Sequence, residues 1–233
     1  MKWTKLQTAD GVWGREITNL AEKERAAAIM AKKLKKGDVI GVGSGSTSFV
    51  TLKALVSRRE SEGLDFIAIV TSIEMELVCA ALSVPTTSLK VMRPDWSFDG
   101  ADEVDGKGNM IKGRGGALLR EKLVIVASKK PYIVIDQSKL VKRLGQNFPV
   151  PVEIYPDAIQ IVLKALKVFD TITDVELRQA EGKDGPIITE NGNLILDVKF
   201  SKISNGMEQK LKSIVGVVDT GLFMGYKTTV VMS

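Results

Sequence analysis

The feature that most constrains this chain is an alternation that runs from about Leu20 to Ile135, in which short β-rich runs are followed by segments of helical apolar spacing. Residues from about Leu20 to Leu34 set Ala26, Ala27, Ile29, Met30 and Leu34 among charged neighbours and stop before Gly37, which is the pattern of an amphipathic helix. Asp38 to Val42 reads as a strand closed by glycines, and Ser46 or Thr47 can cap a helix from about Phe49 to Ser57. The pair recurs as Phe66 to Val70 with Glu74 to Leu82, then as a strand ending near Asp99, and again as Tyr132 to Ile135 after a helix around Ala117 to Ala127. Strands that alternate with helices return in parallel, so this region predicts an α/β unit with a mostly parallel sheet and helices on both faces.

After Gly145 the texture changes. The segment FPVPVEIYP is bounded by prolines and precedes a helical stretch, DAIQIVLKALKVF. The run PIITENGNLILDVKF reads as two strands joined at Asn191-Gly192, a hairpin signal because both turn positions favour positive φ. A helix is expected from about Met207 to Ser213, and GVVDTGLF and KTTVVMS read as strands that return to the main sheet. The expected division is a catalytic domain over residues 1–146, completed by about 219–233, and a smaller α+β domain with an antiparallel sheet over 147–218.

Composition narrows the chemistry. With 233 residues and 44% hydrophobic content the chain can bury a substantial core. It holds no apolar run near the roughly 18 to 20 residues needed to span a bilayer, and MKWTKLQTADGVWGRE lacks the apolar middle of a signal peptide. A cytoplasmic protein is expected. The one cysteine, Cys79, sits in VCAAL and reads as a packed helix residue. Histidine is absent, which removes the usual general base and the commonest transition-metal ligand. Catalysis must then run on carboxylates, lysines and backbone dipoles. The net charge of +5 comes from basic residues interleaved with acids, which suits a small phosphorylated substrate as well as a polyanion.

Three segments can carry such chemistry. In Gly41-Val42-Gly43-Ser44-Gly45-Ser46-Thr47 a strand runs into a helix N-terminus, where free N–H groups and hydroxyls can hold a phosphate. No Gly-Lys-Ser/Thr ending is present, which excludes a P-loop, and Ser46 replaces the third glycine of a dinucleotide fingerprint. In Asp99-Gly100-Ala101-Asp102-Glu103-Val104-Asp105-Gly106 an acidic loop follows a strand. An EF-hand frame set on Gly106 puts Ala101 and Lys112 at ligand positions and fails, so the carboxylates are candidates for sugar hydroxyls or proton transfer. Glu103 and Asp105 read equally well as acids of a solvated turn. In Lys112-Gly113-Arg114-Gly115-Gly116-Ala117 a flexible cationic loop enters a helix N-terminus, a setting for an oxyanion. Glu121, in the first turns of that helix, reads by itself as an ordinary surface acid.

Taken together and in order, GVGSGST, DGADEVD, KGRGGALLREK, DQSKL with LGQNFPVPVE, NGNLILD and GVVDTGLF resemble the signature blocks of type A ribose-5-phosphate isomerases, from about Lys23 to Phe223. The resemblance implies a Rossmann-like fold and a cofactor-free, metal-free isomerase acting on ribose 5-phosphate and ribulose 5-phosphate as a homodimer or homotetramer, with no nucleic acid or membrane partner. It assigns Ser44, Gly45, Ser46 and Thr47 to a first substrate loop, Asp99, Gly100, Ala101 and Asp102 to a second, and Lys112, Gly113, Arg114 and Gly115 to a third. Lys139 and Lys23 become further substrate contacts, Glu121 the catalytic base, Asp99 and Asp102 proton-transfer groups, and Lys112 the oxyanion stabiliser. Arg114 stands where the family usually has glycine. A sugar-phosphate sensor, or an isomerase of another phosphosugar, is the competing reading. Against the sensor, the acid and lysine positions are all retained and the first 40 residues hold no helix-turn-helix with a basic recognition helix.

Overall fold

The computed structural model describes residues 8–232. Along the chain run α1 (Ala9–Trp13), α2 (Leu20–Ala31), β1 (Asp38–Val42), α3 (Gly45–Glu62), β2 (Phe66–Val70), α4 (Ile73–Ala81), β3 (Thr86–Thr87) and β4 (Trp96–Asp99). Next come β5 (Glu103–Asp105), β6 (Met110–Ile111), α5 (Leu118–Ala127), β7 (Pro131–Ile135), β8 (Leu140–Val141), β9 (Val150–Ile154) and α6 (Ile159–Leu166). The chain closes with β10 (Ile172–Leu177), β11 (Leu194–Phe200), α7 (Met207–Lys212), β12 (Val217–Thr220), β13 (Leu222–Phe223) and β14 (Thr229–Met232). The described residues fall into two units, the first made of residues 8–100, 123–137 and 227–232, the second of 101–122 and 138–226.

In the first unit, six of the described strands form a sheet in the order β14-β7-β4-β1-β2-β3, with every pairing parallel. Alternation along β1 explains its two faces. Ile40 and Val42 join a core with Ala27 and Met30 of α2, Phe49, Leu52 and Leu55 of α3, and Met75 and Val78 of α4. Val39 points the other way and packs with Ile69 and Val124 of α5. Gly41 permits that approach, because a Cβ there would collide with Val124 and Ser97. The expected parallel sheet with helices on both faces is therefore present, and KTTVVMS joins it as β14. The helix expected from Phe49 to Ser57 is longer at both ends: Ser44 stands at the N-cap position without a side-chain cap hydrogen bond, the expected caps Ser46 and Thr47 lie inside the helix, and it closes at Gly63 with φ of 63°.

In the second unit, the described strands form an antiparallel sheet, β10-β11-β9-β12, and a mixed sheet of shorter strands, β13-β6-β5-β8, in which β5 and β8 run parallel. Val150, Val152, Leu196 and Val198 pack against Val162 and Leu166 of α6 and Leu211 of α7. Two expectations change here. GVVDTGLF does not return to the parallel sheet: β12 pairs with β9 and β13 with β6. The position expected as a boundary, Asn147, lies inside this unit, because β5 and β6 pair with β8 and β13 rather than extending the main sheet.

The Asn191-Gly192 hairpin also changes. Gly192 has φ of 79° while Asn191 is not in the left-handed region, and β11 takes β10 as its antiparallel neighbour instead of residues 186–189. The turn itself forms, with Thr189 and Asn193 joined through N–H to carbonyl at 2.9 Å. Both side chains, with Asn191, donate to the buried Glu153 carboxylate at 2.8 to 3.2 Å. Those contacts hold the segment as an anchored turn.

Candidate active site

In the first unit the strand order reverses beside β1, with β2 on one side and β4 on the other. The crevice outside the carboxyl ends at such a reversal is where open α/β sheets bind ligands. Ser44 to Thr47 follow β1 directly, and Asp99 ends β4. The N–H of Gly43 donates to the Phe98 carbonyl at 2.9 Å. A Cβ at Gly43 would fall on the Asp99 carboxyl group, so glycine is what lets this buried carboxylate lie across the end of β1. Asp99 in turn accepts the N–H of Gly100 at 2.8 Å.

Lys23, on α2, is also buried, and its ammonium donates to the Thr18 carbonyl at 2.7 Å and to the Ser46 hydroxyl at 3.1 Å. A buried cation thus stands at the first turn of the eighteen-residue α3, where unpaired N–H groups and the helix dipole already favour an anion.

The second unit gathers a different set. Lys112 extends β6, its N–H donating to the Gly221 carbonyl at 2.9 Å. Its ammonium lies 3.2 Å from Glu121 Oε2, with side-chain exposures of 2% and 4%, and 5.6 Å from the centre of the Phe223 ring. Glu121 is therefore no surface acid. Asp102 accepts the Arg114 N–H at 3.1 Å. Burial raises the Asp102 carboxyl above the ordinary aspartate range, Lys112, the Arg114 N–H and Lys139 pull it back, and the Glu121 charge pushes it further up. Lys139 lies in the short 3₁₀ stretch Gln137–Lys139, its ammonium 5.3 Å from the centre of the Phe148 ring. A buried lysine–glutamate pair with a half-buried aspartate and a half-buried lysine near it is a setting suited to moving protons and holding a developing negative charge.

Gly113 is buried and holds φ of 101°. Arg114 and Gly115 are exposed. The Arg114 backbone, through its N–H, is what meets Asp102. Gly100 and Ala101 form the link between β4 and Asp102.

Two acids of the DGADEVD segment have other work. Glu103 is fully buried and accepts three N–H groups, from Gly145 at 2.6 Å, Phe148 at 2.9 Å, and Asn147. It fastens the loop before β9 and is not a solvated acid. Asp105 accepts the N–H groups of Lys107 and Asn109 at 2.9 Å each and shapes the β5–β6 turn. Period-two alternation in Glu103-Val104-Asp105 predicts an inward Val104 between two outward acids, so no local signal pointed to the burial of Glu103.

Lys122 left no such signal. Its buried ammonium donates to Glu208 at 2.8 Å, Asp219 at 2.7 Å, and the carbonyls of Thr220 and Leu222 at 2.8 and 2.9 Å. Tyr226 donates to the same Glu208 at 2.9 Å, and burial followed by that carboxylate raises its hydroxyl well above the ordinary range. Cys79 lies in the core, where burial pushes its thiol up to about 12. Among the described residues, no group of three or more His, Cys, Asp or Glu could hold a metal ion, and no helix is long and apolar enough to cross a membrane.

The family model described as ribose 5-phosphate isomerase A (phosphoriboisomerase A) matches residues 67–233. The chain is 40% identical over 211 residues to ribose-5-phosphate isomerase A of Methanothermobacter thermautotrophicus, covering 90% of this chain and 92% of that one. To the protein of the same name from Archaeoglobus fulgidus it is 41% identical over 205 residues, covering 86% and 89%. The fold is similar to ribose 5-phosphate isomerase A from Methanocaldococcus jannaschii, with a TM-score of 0.85 at 36% identity over 91% of this chain and 93% of that one. It is also similar to a D-ribose-5-phosphate isomerase in complex with phospho-erythronic acid, with a TM-score of 0.83 at 37% identity over 90% and 93%.

Proposed function

The chain belongs to the ribose 5-phosphate isomerase A family and interconverts ribose 5-phosphate and ribulose 5-phosphate, and we propose that Glu121, Lys112, Asp102 and Asp99 carry the chemistry. The observation that bears most weight is the buried Lys112–Glu121 pair with the Asp102 carboxyl beside it. In the opened aldose, Glu121 takes the proton from C2, and the electron pair left behind forms the C1–C2 double bond while the carbonyl electrons move onto O1. The Lys112 ammonium holds that oxyanion. Return of the proton from Glu121 to C1, with O1 gaining and O2 losing a proton through the aspartates, gives the ketose.

Ser44 to Thr47 and Lys23 suit the phosphate, the first through N–H groups and hydroxyls, the second through its charge. Gly100, Ala101, Gly113, Arg114 and Gly115 offer backbone contacts to the sugar, and Lys139 a second cation. Phospho-erythronic acid, held by a relative, carries a phosphate and a carboxylate, and a carboxylate stands in for the charged oxygen of an enediolate. We place the protein in the cytoplasm as a homodimer or homotetramer, a reading supported by the family and by exposed apolar side chains such as Leu77 of α4 and Val126 of α5. Ribose 5-phosphate incubated with the protein and EDTA should yield ketose. Turnover of another aldose phosphate at a higher kcat/KM would change the substrate assignment, and a chain that binds ribose 5-phosphate without converting it would be a sensor.

A further inference from the structure

We propose that Arg178 is a positioning residue for Asp102, acting through the Gly113–Arg114 peptide. The inference rests on the role of Asp102 given above. Arg178 follows β10 directly, and its guanidinium is held on both sides. Nε donates to Asp197 Oδ2 at 2.7 Å and Nη2 to the other oxygen of the same carboxylate. This bidentate pair, with exposures of 14% and 18%, fixes the plane of the guanidinium. Nη1 is left to face the loop, and it donates to the Gly113 carbonyl at 2.8 Å and the Arg114 carbonyl at 2.9 Å.

The Gly113 carbonyl and the Arg114 N–H belong to one planar peptide, whose two dipole ends point in opposite directions. One end is gripped by Arg178, and the other donates to Asp102 Oδ2 at 3.1 Å. A cation on the carbonyl polarises the peptide and strengthens its N–H as a donor. It also prevents the opposite orientation, which would turn the carbonyl toward the carboxylate, and Gly113, at φ of 101°, is a residue at which such a flip is cheap. The guanidinium thus sets both where the Asp102 carboxyl lies and how readily it ionises. The other charged groups that act on Asp102 are Lys112, Glu121 and Lys139.

The test compares Arg178→Gln, Arg178→Lys and Asp197→Asn with the parent, using kcat, KM and the pH profile of kcat, after thermal melts establish which variants fold. Losing the polarised N–H raises Asp102 further, so the acid limb of the profile should move up by about half a pH unit. At the plateau kcat should fall about tenfold in Arg178→Gln, with KM changed less than about threefold. Arg178→Lys keeps the charge, but one nitrogen cannot serve both Asp197 and the loop, so it should fall between the parent and Arg178→Gln. A limb that stays put in the variants that fold overturns the proposal, as does failure of all three to fold, which would make the pair a folding determinant only. Asp102→Asn separates the two levels. If it keeps the parental profile and rate, the reading of Asp102 is wrong; if it abolishes the limb while the Arg178 variants leave it in place, only the positioning role is wrong.

Discussion

With Glu121 and Lys112 facing each other at 3.2 Å and almost unexposed, removing one charge and keeping the shape is the cleanest test of the proton transfer. Glu121→Gln should lower kcat by about 10²- to 10⁴-fold and KM should change little, as read from steady-state rates with ribose 5-phosphate. Arg114 gives the opposite expectation. Its N–H meets Asp102 while its residue surface is exposed, and glycine supplies the same N–H. Arg114→Gly should leave kcat and KM within about twofold of the parent across a range of salt, and a larger change in either constant would show that the guanidinium touches substrate. Gly43→Ala places a methyl group on the Asp99 carboxyl, so the carboxylate must move. A stability loss of about 1–3 kcal/mol in urea, together with a fall in kcat, is expected.

At the scale of elements, the acids of one short segment divide their labour by the direction in which β5 sends them. Asp102 accepts the Arg114 N–H and feels the charges of Lys112 and Lys139, while Glu103, one residue on, collects the N–H groups of the loop before β9. Glu103→Ala would take the acceptor away from three part-buried N–H groups, a loss of about 0.5–1.5 kcal/mol for each hydrogen bond, and the urea midpoint should fall accordingly. Lys122 ties α5 to α7 and to the β12–β13 corner. Lys122→Met should cost about 3–5 kcal/mol by leaving the buried Glu208 without its cation and Asp219 with only Lys212, at 3.3 Å. Far-UV melts would read that loss directly.

At the scale of the whole molecule, a chain without histidine must do acid–base work with carboxylates tuned by burial and by neighbouring charge. Asp102 shows this, raised by burial and restrained by two lysines and an N–H. The same economy predicts that exhaustive chelation leaves turnover unchanged. Loss of activity in EDTA with recovery on adding a divalent ion would replace the mechanism proposed here with a Lewis-acid one.

The sequence by itself determined the elements and their class. Apolar spacing of 3.6 in α2 and the short, nearly continuous apolar runs of β1 and β2 are local properties of the chain, and they are enough to predict parallel strands covered by helices. The glycine loops could be recognised as ligand sites for the same reason, since a turn's backbone needs are met by its own residues. Only the tertiary structure decided which distant groups meet. Lys122 and Asp219 are 97 residues apart, Arg178 and Gly113 are 65 apart, and Glu103 and Gly145 are 42 apart. Glu121 reads as a surface acid because helical periodicity reports which side of a helix is apolar, not which ammonium will be buried against it. GVVDTGLF reads as a strand of the main sheet because β-propensity does not name a partner. Pairing is chosen by the backbone N–H and C=O groups left open once the rest of the chain has packed, and that choice placed β12 against β9 and β13 against β6.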